Sequence, residues 1–104
     1  MSLTIQEVQN IFLGKMFKTE SLNSVENYCF TDKTVFAING EQEKTVYKIF
    51  EERGVFYLHT ELPIFGVTEM AIHVEKIKDV YLIITLLNKK DCLHVITLEQ
   101  TLQQ

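Results

Sequence analysis

The sequence predicts a mainly β protein: an amino-terminal helix followed by an eight-stranded antiparallel up-and-down meander, curved into a barrel or half-barrel. Two observations lead to this prediction. Apolar side chains repeat with a helical period only in residues 1–13, and from residue 15 onward the chain consists of short β-rich runs separated by short turns. Because no link is long enough to hold a crossover helix, neighbouring strands are expected to be antiparallel.

The helix is predicted over residues 1–13. Ser2 or Thr4 can cap its start, and Glu7 follows Thr4 at the spacing of a capping box. Gly14 is expected to end the helix, because glycine is the usual residue just past a helix end. The apolar residues of the segment fall on one helical face: Ile5, Val8, Phe12 and Leu13.

The eight strands are predicted at the β-rich runs, which are 15–22, 26–30, 34–39, 44–50, 54–60, 67–77, 80–87 and 92–98. Asn39-Gly40 is a strong hairpin dipeptide, and Pro63 lies in the longest link, where its missing N–H has no strand partner to lose. The length allows one domain over residues 1–104. Its meander is expected to cover 15–99, followed by a tail over 100–104.

Alternation along the strands predicts which side chains face the barrel interior. The run 80–87 is apolar on both faces, and the helix is expected to cover its second face. An eight-stranded barrel is just wide enough to be filled by its own side chains or to hold one small ligand, so both outcomes are open. The expected interior residues are Phe30, Phe36, Phe56, Leu58, Met70, Ile72, Leu82 and Ile84.

Composition and charge exclude several classes of partner. The net charge is −4 and the basic residues are scattered, which argues against nucleic-acid binding. No run approaches the ~20 apolar residues of a membrane span, so no membrane association is expected. The expected location is the cytoplasm, or outside the cell if a signal peptide has been removed.

The cysteines and histidines do not have the spacing of a metal site. Cys29 and Cys92 are far apart in sequence, and two buried reduced thiols are expected, with a single disulfide left open. His59, His73 and His94 lie in separate strands without close metal-ligand spacing, and the first two are expected to face solvent. No metal site is predicted.

Catalytic signatures are also missing from the sequence. It contains no G-x-S-x-G motif, and its four glycines do not form a phosphate-binding loop. Paired carboxylates occur at Glu51-Glu52 and across Glu41 and Glu43, but both pairs lie in or next to turns, where charges are normally solvated. We therefore expect neither enzyme activity nor a cofactor.

The segment that joins the helix to the first strand resembles a known family. Asn10, Gly14 and Phe17 match the pattern N-x-x-x-G-x-W followed by an aromatic residue, with Met16 at the tryptophan position. Together with the helix and meander, this pattern resembles the lipocalin-like (calycin) β-barrels, and residues 28–40 resemble a hairpin of small bacterial members. The resemblance implies a barrel whose closed end is filled by Met16.

Lys18 and Glu20 share a strand face with Met16. If Met16 points inward, the two charged residues form a buried pair, which is unfavourable unless they pair with each other or with a ligand. A bulge near Lys18 would instead return both to solvent. The sequence leaves the two alternatives open.

These observations favour a non-enzymatic lipocalin-like domain that binds a small apolar ligand between the helix and the sheet. The alternative is a protein-interaction module, such as an inhibitor, immunity or accessory protein, with a filled barrel core and an acidic surface or exposed strand edge. A homodimer is left open. The residues expected to contact the ligand are Met16, Phe36, Phe56, Met70 and Leu82.

Overall fold

The computed structural model describes residues 3–20, 25–40, 42–62, 66–89 and 91–101. It contains one helix and a closed eight-stranded barrel in which consecutive strands are neighbours and every pair is antiparallel. β1 pairs with β8, so the sheet is a barrel and not a half-barrel. The elements are α1 (Ile5–Phe12), β1 (Lys15–Glu20), β2 (Val25–Phe30), β3 (Val35–Ile38), β4 (Glu43–Glu52), β5 (Val55–Leu62), β6 (Gly66–Ile77), β7 (Val80–Lys89) and β8 (Cys92–Thr101).

The helix begins at Ile5 and not at residue 1 as predicted, and Thr4 caps it through the predicted capping box. The Thr4 hydroxyl accepts a hydrogen bond from the Glu7 backbone N–H at 3.1 Å, and the Glu7 carboxylate accepts one from the Thr4 N–H at 2.9 Å. Val8 and Phe12 are fully buried and Ile5 packs against the core, as predicted. Leu13, the fourth residue of the predicted face, is instead the C-cap and lies on the other side of the helix, whereas Ile11 is buried. Ser2, the other capping candidate, lies outside the described residues.

The helix ends at the predicted glycine. Leu13 is the C-cap, and Gly14 follows it with φ of +78°, in the left-handed region that favours glycine. The Gly14 N–H donates to the Phe30 carbonyl oxygen at 2.6 Å, which joins the end of the helix to β2. This bond directs the chain straight into β1.

Replacing Gly14 by Ala is expected to lower the free energy of unfolding by about 1 kcal/mol. An added Cβ would meet no atom within 4 Å, so the loss comes from the backbone conformation and not from a clash. Gly14→Asn should lose less, because asparagine tolerates positive φ better than alanine. Denaturant unfolding of the three proteins measures the order, and an unchanged stability in Gly14→Ala would contradict the capping role.

The predicted tail is wrong at its first two positions. β8 continues to Thr101, since Met16 pairs with Thr101 and Phe17 with Gln100 across the closing edge of the barrel. The other predicted strands lie within a few residues of their observed bounds. Asn39 and Gly40 form the expected turn, both with positive φ. Residues 21–24, Pro63 and 102–104 lie outside the described residues.

Six aromatic rings fill the half of the barrel interior next to α1. Phe12 of the helix packs on Phe30 with ring centroids 5.1 Å apart, and Phe30 stacks on Phe36 at 4.7 Å. The helix therefore closes the end of the barrel at which β1 begins. We call this set the aromatic cluster: Phe12, Phe17, Tyr28, Phe30, Phe36 and Tyr47.

Three buried threonines complete the interior without unpaired hydroxyls. Thr60 donates to the Val46 carbonyl oxygen at 2.7 Å, and Thr85 to that of Ile96 at 2.8 Å. Thr68 donates to the Thr60 carbonyl oxygen at 3.3 Å. Each hydroxyl thus bonds a neighbouring strand, which satisfies a polar group that burial would otherwise penalise.

The predicted orientation of β7 is wrong. Ile83 and Thr85 are fully buried, and they pair with the interior residues Val74 and Ile72 of β6. Residues directly opposite each other in an antiparallel pair share a face, so Leu82 and Ile84 point outward. The helix was expected to cover this outer face, but α1 inserts into the barrel end and leaves the face uncovered by the helix.

The predicted inward orientation of Met16 is also wrong, as the pairing of β1 with β2 shows. Phe17 is fully buried and faces Tyr28, whereas Met16 lies on the outer face opposite Cys29. The pairing of β1 with β2 is continuous, so no bulge is needed to expose the charged residues. Lys18 and Glu20 form a surface ion pair at 3.3 Å, and the buried alternative does not arise.

Candidate functional site: a cleft between the helix and strand β4

A cleft with a volume of about 610 Å³ lies between α1, β4 and the link that joins β2 to β3. This volume is within the usual range of small-ligand sites, roughly 300–1,000 Å³. The residues that line the cleft come from three separate segments: Gln6, Gln9, Asn10, Leu13, Lys33, Thr34, Tyr47, Lys48 and Ile49.

The polar face of α1 forms one wall. Because Val8 and Phe12 point into the barrel, the amide side chains of Gln6, Gln9 and Asn10 are left on the other side of the helix and are exposed. The Gln9 Nε2 donates to the Ile49 carbonyl oxygen at 3.3 Å, which fixes the distance between helix and strand.

The link between β2 and β3 forms the opposite wall and is held by Asp32. Its carboxylate accepts hydrogen bonds from the Thr34 N–H at 2.9 Å and the Thr34 hydroxyl at 3.0 Å, an Asx-turn arrangement. These bonds lower the pKa of Asp32, because they favour its charged form. The negative charge next to the cleft is therefore already engaged by Thr34.

Tyr47 joins the same link to the floor of the cleft. Its hydroxyl donates to the Asp32 carbonyl oxygen at 2.7 Å, and its backbone N–H donates to the Thr34 carbonyl oxygen at 2.9 Å. Burial raises the pKa of Tyr47, and the Asp32 charge adds to the effect, so the hydroxyl is a neutral donor. The tyrosine ring is thereby fixed in place beneath the link.

The cleft combines an apolar floor with a cationic rim. Tyr47 and Ile49 are buried and Leu13 is half-buried, whereas Lys33 and Lys48 are exposed. Among the described residues that line the cleft none is acidic, although the chain as a whole carries a net charge of −4. The arrangement therefore suits a small molecule with an apolar body and a negatively charged group.

None of the five residues predicted to contact a ligand lines this cleft. Phe36 and Met70 lie in the packed interior at 1% and 3% exposure, and Phe56 faces inward and is half-buried. Met16 and Leu82 lie on the outer face of the barrel. The amides on α1 and the two lysines were missed, because a polar helix face next to an apolar one is read from sequence as ordinary solvent exposure.

The cysteines are unpaired, but they are not buried as predicted. Cys29 is half-buried on β2 and Cys92 is exposed at the start of β8. His59 and His73 face solvent as expected. His59 Nδ1 lies 3.4 Å from Glu69 Oε2, and His73 Nε2 lies 3.2 Å from Glu75 Oε1. Within the described ranges, no three His, Cys, Asp or Glu side chains come together in a way that could hold a metal ion.

The comparisons with known proteins do not identify a family. In the described part of the chain, no helix is long and apolar enough to cross a membrane. The sequence matches no family model, and neither a curated protein nor a solved structure matches it. The closed eight-stranded barrel with an amino-terminal helix is consistent with a lipocalin-like fold, and this likeness rests on architecture alone.

Proposed function

We propose that the protein is a non-enzymatic domain that binds a small organic anion in the cleft between α1 and β4. The observation that carries the proposal is the cleft itself, which has the volume of a ligand site and a rim with two lysines and three amides. The ligand is expected to place its charged group between Lys33 and Lys48 and its apolar body on Tyr47 and Ile49.

The packing of the barrel supports this location over the interior. The family resemblance implies a ligand inside the barrel, but the aromatic cluster fills the half of the interior next to the helix. A ligand bound there would have to separate these rings, and the core would then lose the dispersion and burial that stabilise it. The cleft needs no such rearrangement, because its walls are already held by Gln9 and Asp32.

Octanoate and octan-1-ol provide a direct test, because they share an apolar chain and differ in charge. We expect octanoate to shift the amide NMR signals of α1 and β4, including the side-chain amides of Gln6, Gln9 and Asn10. Octanol should bind about 3–10-fold more weakly, a difference of roughly 0.7–1.4 kcal/mol for an exposed charge interaction.

Lys48→Gln should weaken octanoate binding by a similar factor. Lys44→Gln is the matched control, because Lys44 points to the same side of β4 and lies four residues away, about 13 Å along the strand. The absence of any shift with octanoate, equal affinity for both molecules, or shifts confined to the barrel interior would each refute the proposal.

A further inference from the structure

A row of apolar side chains crosses the outer face of four adjacent strands. Cross-strand pairing places Tyr57 beside Ala71, Ala71 beside Leu86, and Leu86 beside Val95. Their chain neighbours point into the barrel, so these four residues point outward. Leu86 and Val95 are 40% and 59% exposed. We call this set the outer apolar row: Tyr57, Ala71, Leu86 and Val95.

The outer apolar row is part of a larger apolar surface. Phe50 extends it to β4, where its ring stacks on Tyr57 with centroids 5.4 Å apart and planes at 20°. Ile84 lies next to the row on β7, and Leu93, which is 61% exposed, lies next to it on β8. Contiguous exposed apolar surface of this kind is typical of protein–protein contacts, whereas single exposed apolar residues are not.

We propose that a second copy of the chain covers this face, with the two outer apolar rows packed against each other and the two-fold axis along the row. Two sheets then pack face to face, about 10 Å apart. In such an isologous contact each row residue lies near its own counterpart, so the small Ala71 side chain lies at the closest approach of the two sheets.

The charges next to the row select this arrangement. The two-fold rotation about the row places Glu69 of one copy opposite His73 of the other, and this pair occurs twice in the dimer. The reason is that Glu69 lies two residues before Ala71 on β6 and His73 lies two residues after it. Glu69 contacts His59 through Oε2 and His73 contacts Glu75 through Nε2, which leaves Glu69 Oε1 and His73 Nδ1 for contact between the copies. Because carboxylates only accept, the two contacts together require a His73 imidazolium, which donates from Nε2 to Glu75 of its own copy and from Nδ1 to Glu69 of the other.

Two other arrangements of the same surface bring carboxylates into unfavourable positions. Glu75 and Glu99 both lie opposite Leu82, on either side of β7. A two-fold axis parallel to β7 would place Glu75 of one copy against Glu99 of the other, which is repulsive. A two-fold axis that runs across the strands at Ile84, and not at the row, would place both carboxylates on apolar row residues of the other copy. Burying the carboxylates there would cost desolvation free energy.

The size of the contact predicts a weak dimer. Three strand spacings of about 4.8 Å give a width of about 14 Å, and four residues along a strand give about 13 Å. This footprint is smaller than the roughly 800 Å² per partner of a stable interface. We therefore expect reversible dimerisation with a dissociation constant on the order of 100 μM.

Analytical ultracentrifugation over about 10 μM to about 1 mM protein tests the surface. The unsubstituted protein should rise toward twice the monomer mass, and Leu86→Lys should stay monomeric at every concentration. Val46→Lys is the matched control, since Val46 is 61% exposed on β4 and lies outside the row; it should behave like the unsubstituted protein. A monomer at all concentrations, or equal loss in both variants, overturns the proposal.

Cross-linking tests the position of the axis. In a background with Cys29→Ser and Cys92→Ser, a short bis-maleimide should cross-link Ala71→Cys into a dimer at least about tenfold faster than Val46→Cys. A residue at the axis lies about 10 Å from its own counterpart, which is too far for a direct disulfide but within reach of the reagent. Equal rates for the two variants would overturn the arrangement. Neither outcome tests the ligand cleft, because none of the four residues of the outer apolar row lines it.

Discussion

Replacing Phe30 by Ala is expected to lower the free energy of unfolding by about 3–5 kcal/mol, the usual loss for a fully buried phenylalanine. Phe30 lies at the centre of the aromatic cluster and contacts Phe12, Phe36 and Tyr47 with ring centroids 4.7–5.1 Å apart. Removing it would leave a cavity where the helix meets the sheet. Domains of this size are typically only marginally stable, so the variant is expected to be largely unfolded at physiological temperature.

Phe50→Ala is the matched control for that experiment. Phe50 also stacks on an aromatic ring, but it lies on the outer face of β4 with Tyr57. Phe50→Ala should lose less than Phe30→Ala: roughly 0.5–1.5 kcal/mol for the aromatic pair, plus a smaller contribution from the half-buried ring surface. Denaturant unfolding followed by circular dichroism compares the two variants, and similar losses would mean that the interior is not packed as described.

Introducing a charge into β7 is expected to have opposite consequences at two adjacent positions. Ile83→Lys would place an ammonium group in the apolar interior, since Ile83 is fully buried, and should lower the free energy of unfolding by about 4 kcal/mol or more. Leu82→Lys should change it by less than about 1 kcal/mol, because position 82 lies outward between Glu75 and Glu99.

The two substitutions, Ile83→Lys and Leu82→Lys, distinguish the observed register of β7 from one shifted by a single residue. Circular dichroism and thermal unfolding should show Ile83→Lys to be unfolded and Leu82→Lys to be folded. The reverse result would mean that β7 is shifted by one residue, since such a shift exchanges the two faces of a strand. That result would also remove the basis for the outer apolar row.

Most of the architecture was predictable from local chemistry. The capping residues Thr4 and Glu7 and the glycine at 14 define the helix, because each satisfies or redirects backbone groups within a few residues. The short turns, such as Asn39-Gly40, force consecutive strands to be antiparallel. Clean alternation around Leu58 and Met70 likewise identified the interior faces of β5 and β6.

The sequence alone therefore determined the fold class, the order of the elements and the inward faces of the strands that alternate clearly. The tertiary structure alone decided the faces of β1 and β7, because Met16 and Phe17, or Leu82 and Ile83, are adjacent apolar residues, and only pairing with neighbouring strands distinguishes them. It also decided the cleft. Gln9 and Ile49, which define its width, are forty residues apart, and no local pattern relates them.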